Sequence, residues 1–434
     1  MRTLAFICSA SFLVSIFATA ACSSDAGLDG PNGAKGGRTS TLSGELCEAS
    51  PAPAVFGNAL CLCGDFKDIG NLIIKKGTGS NLGSVGVNGE SRVVSNSQVD
   101  GSWGSGKGFS AVGNVKVGGS LFTPADLKVT GNVDVGEKLE VGGSLSGIGR
   151  LAVKGEMGVG GSGSVLGYQD IAARGKYQAL AQQPCSCEGS SGYLDVAGEV
   201  AKAKSKNDNG STINLGGDQT SIGYMPLTLK SGRYYLGQLS TIGYSKITVT
   251  GAVSVFIDGN IDQVGAEVFD IQNGATLDLY VSGVIRQVGY LKLGDKKNPG
   301  ALRLYMGGGD DVSLNIGDQV FYGTVYAPKA NIKYIGNTIL EGGLFANHVI
   351  GIGNLEVHGA RPLPPAGCPG NDSGGSTGGS SSSSGATTSS SSSGGATSST
   401  SSSGAGGSSG IGGSSTTNDV PPARGDGVGT IQIK

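Results

Sequence analysis

Gly113-Asn114-Val115-Lys116-Val117-Gly118 returns, almost position for position, as Gly131-Asn132-Val133-Asp134-Val135-Gly136. An aliphatic residue or Thr followed by Gly recurs at Val112, Thr130, Ile148 and Leu166, with that same interval between each and the next. Val117-Gly118-Gly119-Ser120-Leu121 comes back as Val141-Gly142-Gly143-Ser144-Leu145. A fixed short period marks a stacked-repeat architecture, in which no single unit can bury its apolar face alone. With 81 glycines in 434 residues, isolated aliphatic–Gly pairs mean little, and the constant spacing carries the inference. Those glycines do not fall at every third position, which excludes collagen.

The second half repeats more loosely. Ile222-Gly223-Tyr224, Ile242-Gly243-Tyr244, Val264-Gly265, Val288-Gly289-Tyr290, Ile316-Gly317, Ile335-Gly336-Asn337 and Ile352-Gly353-Asn354 follow one another at unequal intervals. Between them run short segments such as Val253-Ser254-Val255-Phe256-Ile257 and Leu277-Asp278-Leu279-Tyr280-Val281, with the alternation of strands. Gly or Asn after each supplies the positive φ of a tight corner. Short strands with frequent corners, three to a turn, predict an all-β fold, a right-handed parallel β-solenoid (β-helix). Thirteen or so coils at about 4.8 Å each make a rod of about 60 Å. Its open ends need covers. Two helical segments are expected to supply them, one over 168–183 with Ala173, Tyr177 and Leu180 at helical spacing, the other over 193–206 with Leu194, Ala197 and Ala201 on one face.

The amino terminus reads as an export signal, with Arg2, an apolar run from Leu4 to Phe17 and small residues Ala18-Thr19-Ala20-Ala21. Two cleavages are open: an ordinary signal peptidase would cut after Ala18-Thr19-Ala20, whereas Thr19-Ala20-Ala21-Cys22 resembles a bacterial lipoprotein box, with Thr19 where leucine is usual. That resemblance implies cleavage before Cys22, a lipid on Cys22 and membrane attachment through it, with Ser23 implying the outer membrane. Parity agrees: giving Cys22 to lipid leaves Cys47, Cys61, Cys63, Cys185, Cys187 and Cys368, an even set suited to disulfides in an oxidising compartment. Neither C-x-C pair can close on itself without strain, so ten pairings remain open. A four-thiolate zinc site from the two C-x-C pairs is the alternative. The organisation is therefore a signal peptide (1–21), a flexible stalk (22–45), an N-terminal solenoid half (46–170), a helical insert (171–210), a C-terminal solenoid half (211–365) and a Ser/Gly-rich tail (366–434) whose composition predicts disorder.

Ser231-Gly232-Arg233-Tyr234-Tyr235, Val255-Phe256-Ile257-Asp258-Gly259, Leu279-Tyr280-Val281-Ser282-Gly283 and Gly323-Thr324-Val325-Tyr326-Ala327-Pro328 resemble an uncharacterised bacterial domain of pilus-assembly (PilX-like) proteins. The chain is also similar to choice-of-anchor A surface proteins. These resemblances imply an envelope β-solenoid and transfer no catalytic residue.

Candidate chemistry is sparse. A net charge of −2 with 15% charged residues argues against nucleic acid as a partner. Gly101-Ser102-Trp103-Gly104-Ser105-Gly106-Lys107 imitates a phosphate loop, but Gly108 stands where Ser or Thr would hold magnesium. Gly374-Gly375-Ser376-Thr377-Gly378 lies in the Ser/Gly tail, away from any strand–turn–helix elbow. His348 and His358 read as ordinary solenoid positions. Asp258, Asp262 and Asp278 do not share one phase of the repeat, as paired glycosidase acids would. Asp310, Asp311 and Asp318 read as a solvated loop. No cofactor, metal or catalytic residue is expected. Tyr224, Tyr244 and Tyr290, each after the recurrent Gly, are candidates for a glycan-stacking ladder. The expected role is a non-catalytic, lipid-anchored rod on the cell surface, structural or adhesive, with surface polysaccharide or other envelope proteins as partners. A carbohydrate-binding module is the alternative, and a polysaccharide-active β-helix enzyme a more remote one.

Overall fold

The computed structural model describes residues 56–77, 83–179, 183–190, 193–212, 218–222, 225–313 and 320–363. They form a nearly all-β structure, a parallel solenoid of about 12 coils. One coil shows how the sequence makes it. Leu121–Thr123, Leu127–Thr130 and Val133–Val135 are its three strands. Alternation points Leu121, Leu127, Val129, Val133 and Val135 inward, all buried, and leaves Lys128, Thr130 and Asp134 outward. Each coil hydrogen-bonds to the ones before and after it, Val133 pairing with Val115 and with Leu151. Stacking thus satisfies the backbone and joins the inward side chains into one aliphatic core running through both halves of the chain.

The recurrent glycine sits at the corner between the second and third strands. Gly113, Gly131, Gly149 and Gly167 have φ between 122° and 137°. A Cβ on Gly131 would lie 2.0 Å from the carbonyl oxygen of Gly113. The corner therefore needs glycine twice over, for its backbone angle and for the close approach of the coil beneath. Ser95 occupies the same position with φ 119°, the one described non-glycine residue with positive φ.

The order of coils in space differs from their order in the chain. Leu60, in the first coil of the N-terminal half, pairs on one side with Val85 and on the other with Leu344. Likewise Phe66 lies between Ser91 and Val349, and Leu72 between Ser97 and Leu355. The last coil of the C-terminal half thus stacks directly on the first coil of the N-terminal half. The chain enters near the middle of the rod, winds out to Gln169–Gly175 at one end, and returns to Asp218–Ile222 at the other. From there it winds back to the middle and leaves after Leu344–Gly359.

The connection between those ends lies along the outside of the first face as a strap. Outward residues there form one in-register row, Tyr235, Phe256, Tyr280, Tyr305, Tyr326, Phe345 and Cys61, continued by Gly86 and Gly104. Rings in the row stack, with centroids 4.7 Å apart for Phe256 and Tyr280 and 4.4 Å for Tyr280 and Tyr305. The helix Val196–Ala203 covers them with Val196, Val200 and Ala203, and Asp195 caps it by accepting from the Gly198 N–H. Two asparagines clip the strap down. Asn88 exchanges two bonds with the Cys185 backbone, and Asn209 does the same with Tyr235. Where the row shrinks to Gly86 and Gly104, the strap closes in: a Cβ on Gly86 would meet Cys185 Sγ at 2.8 Å.

Two expectations about helices change. Among the described residues of 168–183 none is helical, and Gln169–Gly175 is a strand. Gly167 continues the series of corner glycines, and the open edge of Leu151–Val159 offers the following segment a ladder of backbone partners, which three apolar residues at helical spacing do not outweigh. The second helix exists within 193–206 but buries Val196, Val200 and Ala203, leaving Ala197 and Ala201 exposed. It starts at the Asp195 cap, and that phase turns the larger valines onto the aromatic row. Neither segment covers an end of the rod as expected. The terminal strands Gly163–Leu166 and Gln169–Gly175 are largely exposed, with Gln169, Asp170 and Arg174 making a polar edge.

Candidate functional site

The second face of the rod carries the feature most unlike an ordinary solenoid wall. Each of its strands reaches an outward residue just before the corner, which is glycine in every one of these coils but that of Ser95. Ile335, Ile352, Ile69, Val94, Val112, Thr130, Ile148 and Leu166 fall in register over eight consecutive coils. The seven aliphatic members are between 45% and 73% exposed. At about 4.8 Å per coil the row is about 34 Å long. The same position holds Ile242 and Val264 in the early coils of the C-terminal half, both half-exposed, in register with Val288. An exposed apolar row this long points to a contact surface.

Immediately past the corner lies a second ladder. Asn337, Asn354, Asn71, Asn96, Asn114 and Asn132 stack over six coils, and each amide donates to the carbonyl of the one before. The N···O distances are 2.6, 2.9, 3.4, 2.9 and 2.8 Å. Asn132 Oδ1 ends the series by accepting from the Arg150 N–H. Each side-chain NH2 has two protons and the ladder uses one, so the rim presents a regular line of donors. The ladder borders an open groove of about 800 Å³ over the third face. Its floor is the outward row Ile339, Glu356, Ile73, Gln98, Lys116 and Asp134.

One end of the groove floor is charged and tightly bonded. His358 has Glu341 Oε1 at 2.8 Å from Nδ1 and Glu356 Oε1 at 2.6 Å from Nε2, and Lys75 Nζ also bonds Glu356. Burial pushes the Glu356 carboxyl up, but hydrogen bonds from Lys75 and His358 outweigh it and hold the group below its usual range.

The structure places the other candidate residues as follows. Tyr244 and Tyr290 share a register position, but Ala266 stands between them in the intervening coil, so that ladder is gapped. Tyr224 lies outside the described residues. Cys61 bonds Cys185 and Cys63 bonds Cys187, which sets aside the zinc reading of the two C-x-C pairs. Cys22, Cys47 and Cys368 lie outside the described residues, as do Asp318 and the tail motif around Ser376. His348 is structural: its Nδ1 accepts from the Asp65 N–H at 2.7 Å, and its ring fills the space over Gly64. Asp278 is buried against Arg303, whose guanidinium also bonds the Leu363 carbonyl where the chain leaves the rod. Asp258 accepts from the Tyr235 hydroxyl, while Asp262 lies beside Arg286 on another face, so these acids do not converge. Asp310 pairs with Arg286, and Asp311 with Lys333. Trp103, inside the imitation phosphate loop, is a fully buried core residue with its ring edge-on to Phe109 at 4.9 Å.

Reading the sequence alone missed both surface ladders, although their signal was present. The aliphatic–Gly recurrence marked the corner. Counting parity from inward Leu127 and Val129 would have turned Thr130, and with it the whole row, outward.

Among known families, the model for a domain of unknown function (DUF7305) matches residues 190–362, which span the strap helix and the C-terminal half of the rod. No curated protein and no solved structure matches the chain.

Proposed function

We propose that this chain is a non-catalytic envelope protein, anchored through a lipid on Cys22 at the outer membrane, whose solenoid acts as a structural or adhesive rod at the cell surface. The observation that supports this reading most is the exposed aliphatic row over eight coils beside the asparagine ladder. Such a surface offers many small, periodic contacts along a length, which suits a partner that is itself extended. Protease shaving of intact cells with detergent-phase partitioning tests the location. A detergent-partitioning band lost from unbroken cells is the expected result; a band that survives until the outer membrane is opened would move the rod to the periplasm. Deletion of the solenoid should then abolish attachment.

Carbohydrate binding is the second reading, favoured by the groove with amide donors on its rim and Gln98, Lys116 and Asp134 on its floor. Amides and charged groups along an open cleft are suited to hydroxyl-rich chains. Polysaccharide pull-down separates two versions of it. Asn96→Ala with Asn114→Ala should abolish retention if the groove binds, whereas Tyr244→Ala with Tyr290→Ala should do so if the tyrosines stack on sugar. Retention unchanged in both pairs would remove the reading.

A further inference from the structure

We propose that two copies of this rod associate side by side, aliphatic row against aliphatic row. The proposal deepens the envelope-rod reading by naming a partner, and it does not depend on where the rod is anchored.

Three observations choose a second copy as the occupant. The first is period. The row repeats once per coil from Ile335 to Leu166, seven of its eight side chains are apolar, and most are β-branched. A neighbour with the same coil spacing lets each side chain sit between two of the opposing row, the dry interdigitation that stacked strands favour. The second is area. Seven aliphatic side chains exposed by about half or more, with the rims beside them, offer on the order of 700 Å² per copy, close to the about 800 Å² each partner contributes to a standard interface.

The third is charge. The strip beside the row on the second face carries its ions as neutralised neighbours, Asp65 with Lys67 at 3.3 Å, Glu90 with Arg92 at 2.8 Å and Asp126 with Lys128 at 3.6 Å. The other flank is the uncharged asparagine ladder over six coils, continued by Arg150, which pairs with Asp134, and by Tyr168. The outward position next to the row holds Lys333, Lys67, Arg92 and Lys128 in register, each paired with an acid, Lys333 with Asp311, so a second copy meets paired ions on one side and amides on the other. This composition, an apolar centre with a polar rim, is that of a protein interface.

The test uses the full mature chain carrying Cys22→Ser, so that lipid does not drive association, studied by sedimentation over a wide concentration range. The expected result is a reversible dimer or larger side-by-side assembly. Val94→Lys with Val112→Lys should weaken it by about ten-fold or more by placing like charges across the seam. Both residues point outward, so the β-rich circular dichroism should stay unchanged. Ser146→Lys, exposed on the same face but off the row, should leave association intact. A chain that stays monomeric throughout would overturn the proposal. So would association that survives the double variant, or a monomer that instead binds neutral-lipid vesicles through the row. Self-association by a chain that shaving places in the periplasm would overturn only the surface location.

Discussion

Asp68 shows how much a single position departs from the repeat. It points inward where the pattern asks for an aliphatic residue, and it is almost wholly buried. Burial pushes its carboxyl up to about 6, against the pull of a hydrogen bond from the Tyr334 hydroxyl at 2.6 Å. Its other oxygen, Oδ2, has no partner among the described residues. Because the folded value lies above the unfolded value of about 3.9, the native state holds the proton more tightly. The stability this contributes is complete below about pH 4 and is lost as pH rises through about 6. At neutral pH the ionised group then costs on the order of 2–3 kcal/mol. Asp68→Asn is therefore expected to raise the midpoint of thermal unfolding at pH 7 and to flatten its fall between pH 4 and 6. A variant with the same pH profile as the parent would show that Asp68 is not the titrating group. The sequence announces the corner glycines because their spacing is rigid, but it hides Asp68. Its partner Tyr334 is 266 residues away, joined to it only because the last coil of one half meets the first coil of the other.

At the scale of elements, the strap and its two disulfides make a quantitative case. Both bridges join residues 124 apart, and they sit side by side. Whichever forms first closes the long loop, a constraint on the unfolded chain of about 5 kcal/mol in the chain-entropy picture. The second then closes only a ring of a few residues, which adds about 2 kcal/mol. Replacing Cys61 and Cys185 by Ser should cost about 2 kcal/mol, and so should replacing Cys63 and Cys187, whereas removing all four should cost about 7 kcal/mol. Urea titration under non-reducing conditions reads this directly, and a four-fold variant losing only the sum of the two pairs would contradict it. Cysteine parity narrowed the chemistry without choosing the partners, because pairing depends on where the strap crosses the rod. The helix was legible as a segment within 193–206, but its start at the Asp195 cap and its buried face were not. What decides that face is the row from Tyr235 to Phe345, whose members belong to successive coils and become neighbours only after those coils have stacked.

For the whole molecule, the consequence of threading is that both halves depend on a contact between distant parts of the chain. The coil Leu60–Lys76 has one neighbour close in sequence and another about 283 residues on, as in the bond from Asp65 to His348. Repeat counting recovered the coils, since each repeats its own local pattern. It could not recover their order, because any coil's edge is chemically fit to stack on any other. What fixes the order is the strap, whose length and clips carry the chain from one end of the rod back to the other. The entry and exit of the described chain are thereby brought near the rod's middle. Phe56 packs edge-on against Tyr326, and the Leu363 carbonyl takes a bond from Arg303 one coil away. A permuted chain tests this arrangement. It would be opened at Gly189, which is exposed with nothing near its Cβ position, and closed from Leu363 to Phe56 by a Gly/Ser linker of about 15 residues, spanning about 20 Å. It should fold with the same β-rich spectrum and form both disulfides. Its coils would follow one another in sequence as they do in space, so contact order falls and refolding should be faster than in the parent. A permuted chain that fails to fold, or that pairs its cysteines differently, would mean that the strap must be continuous for the two halves to meet.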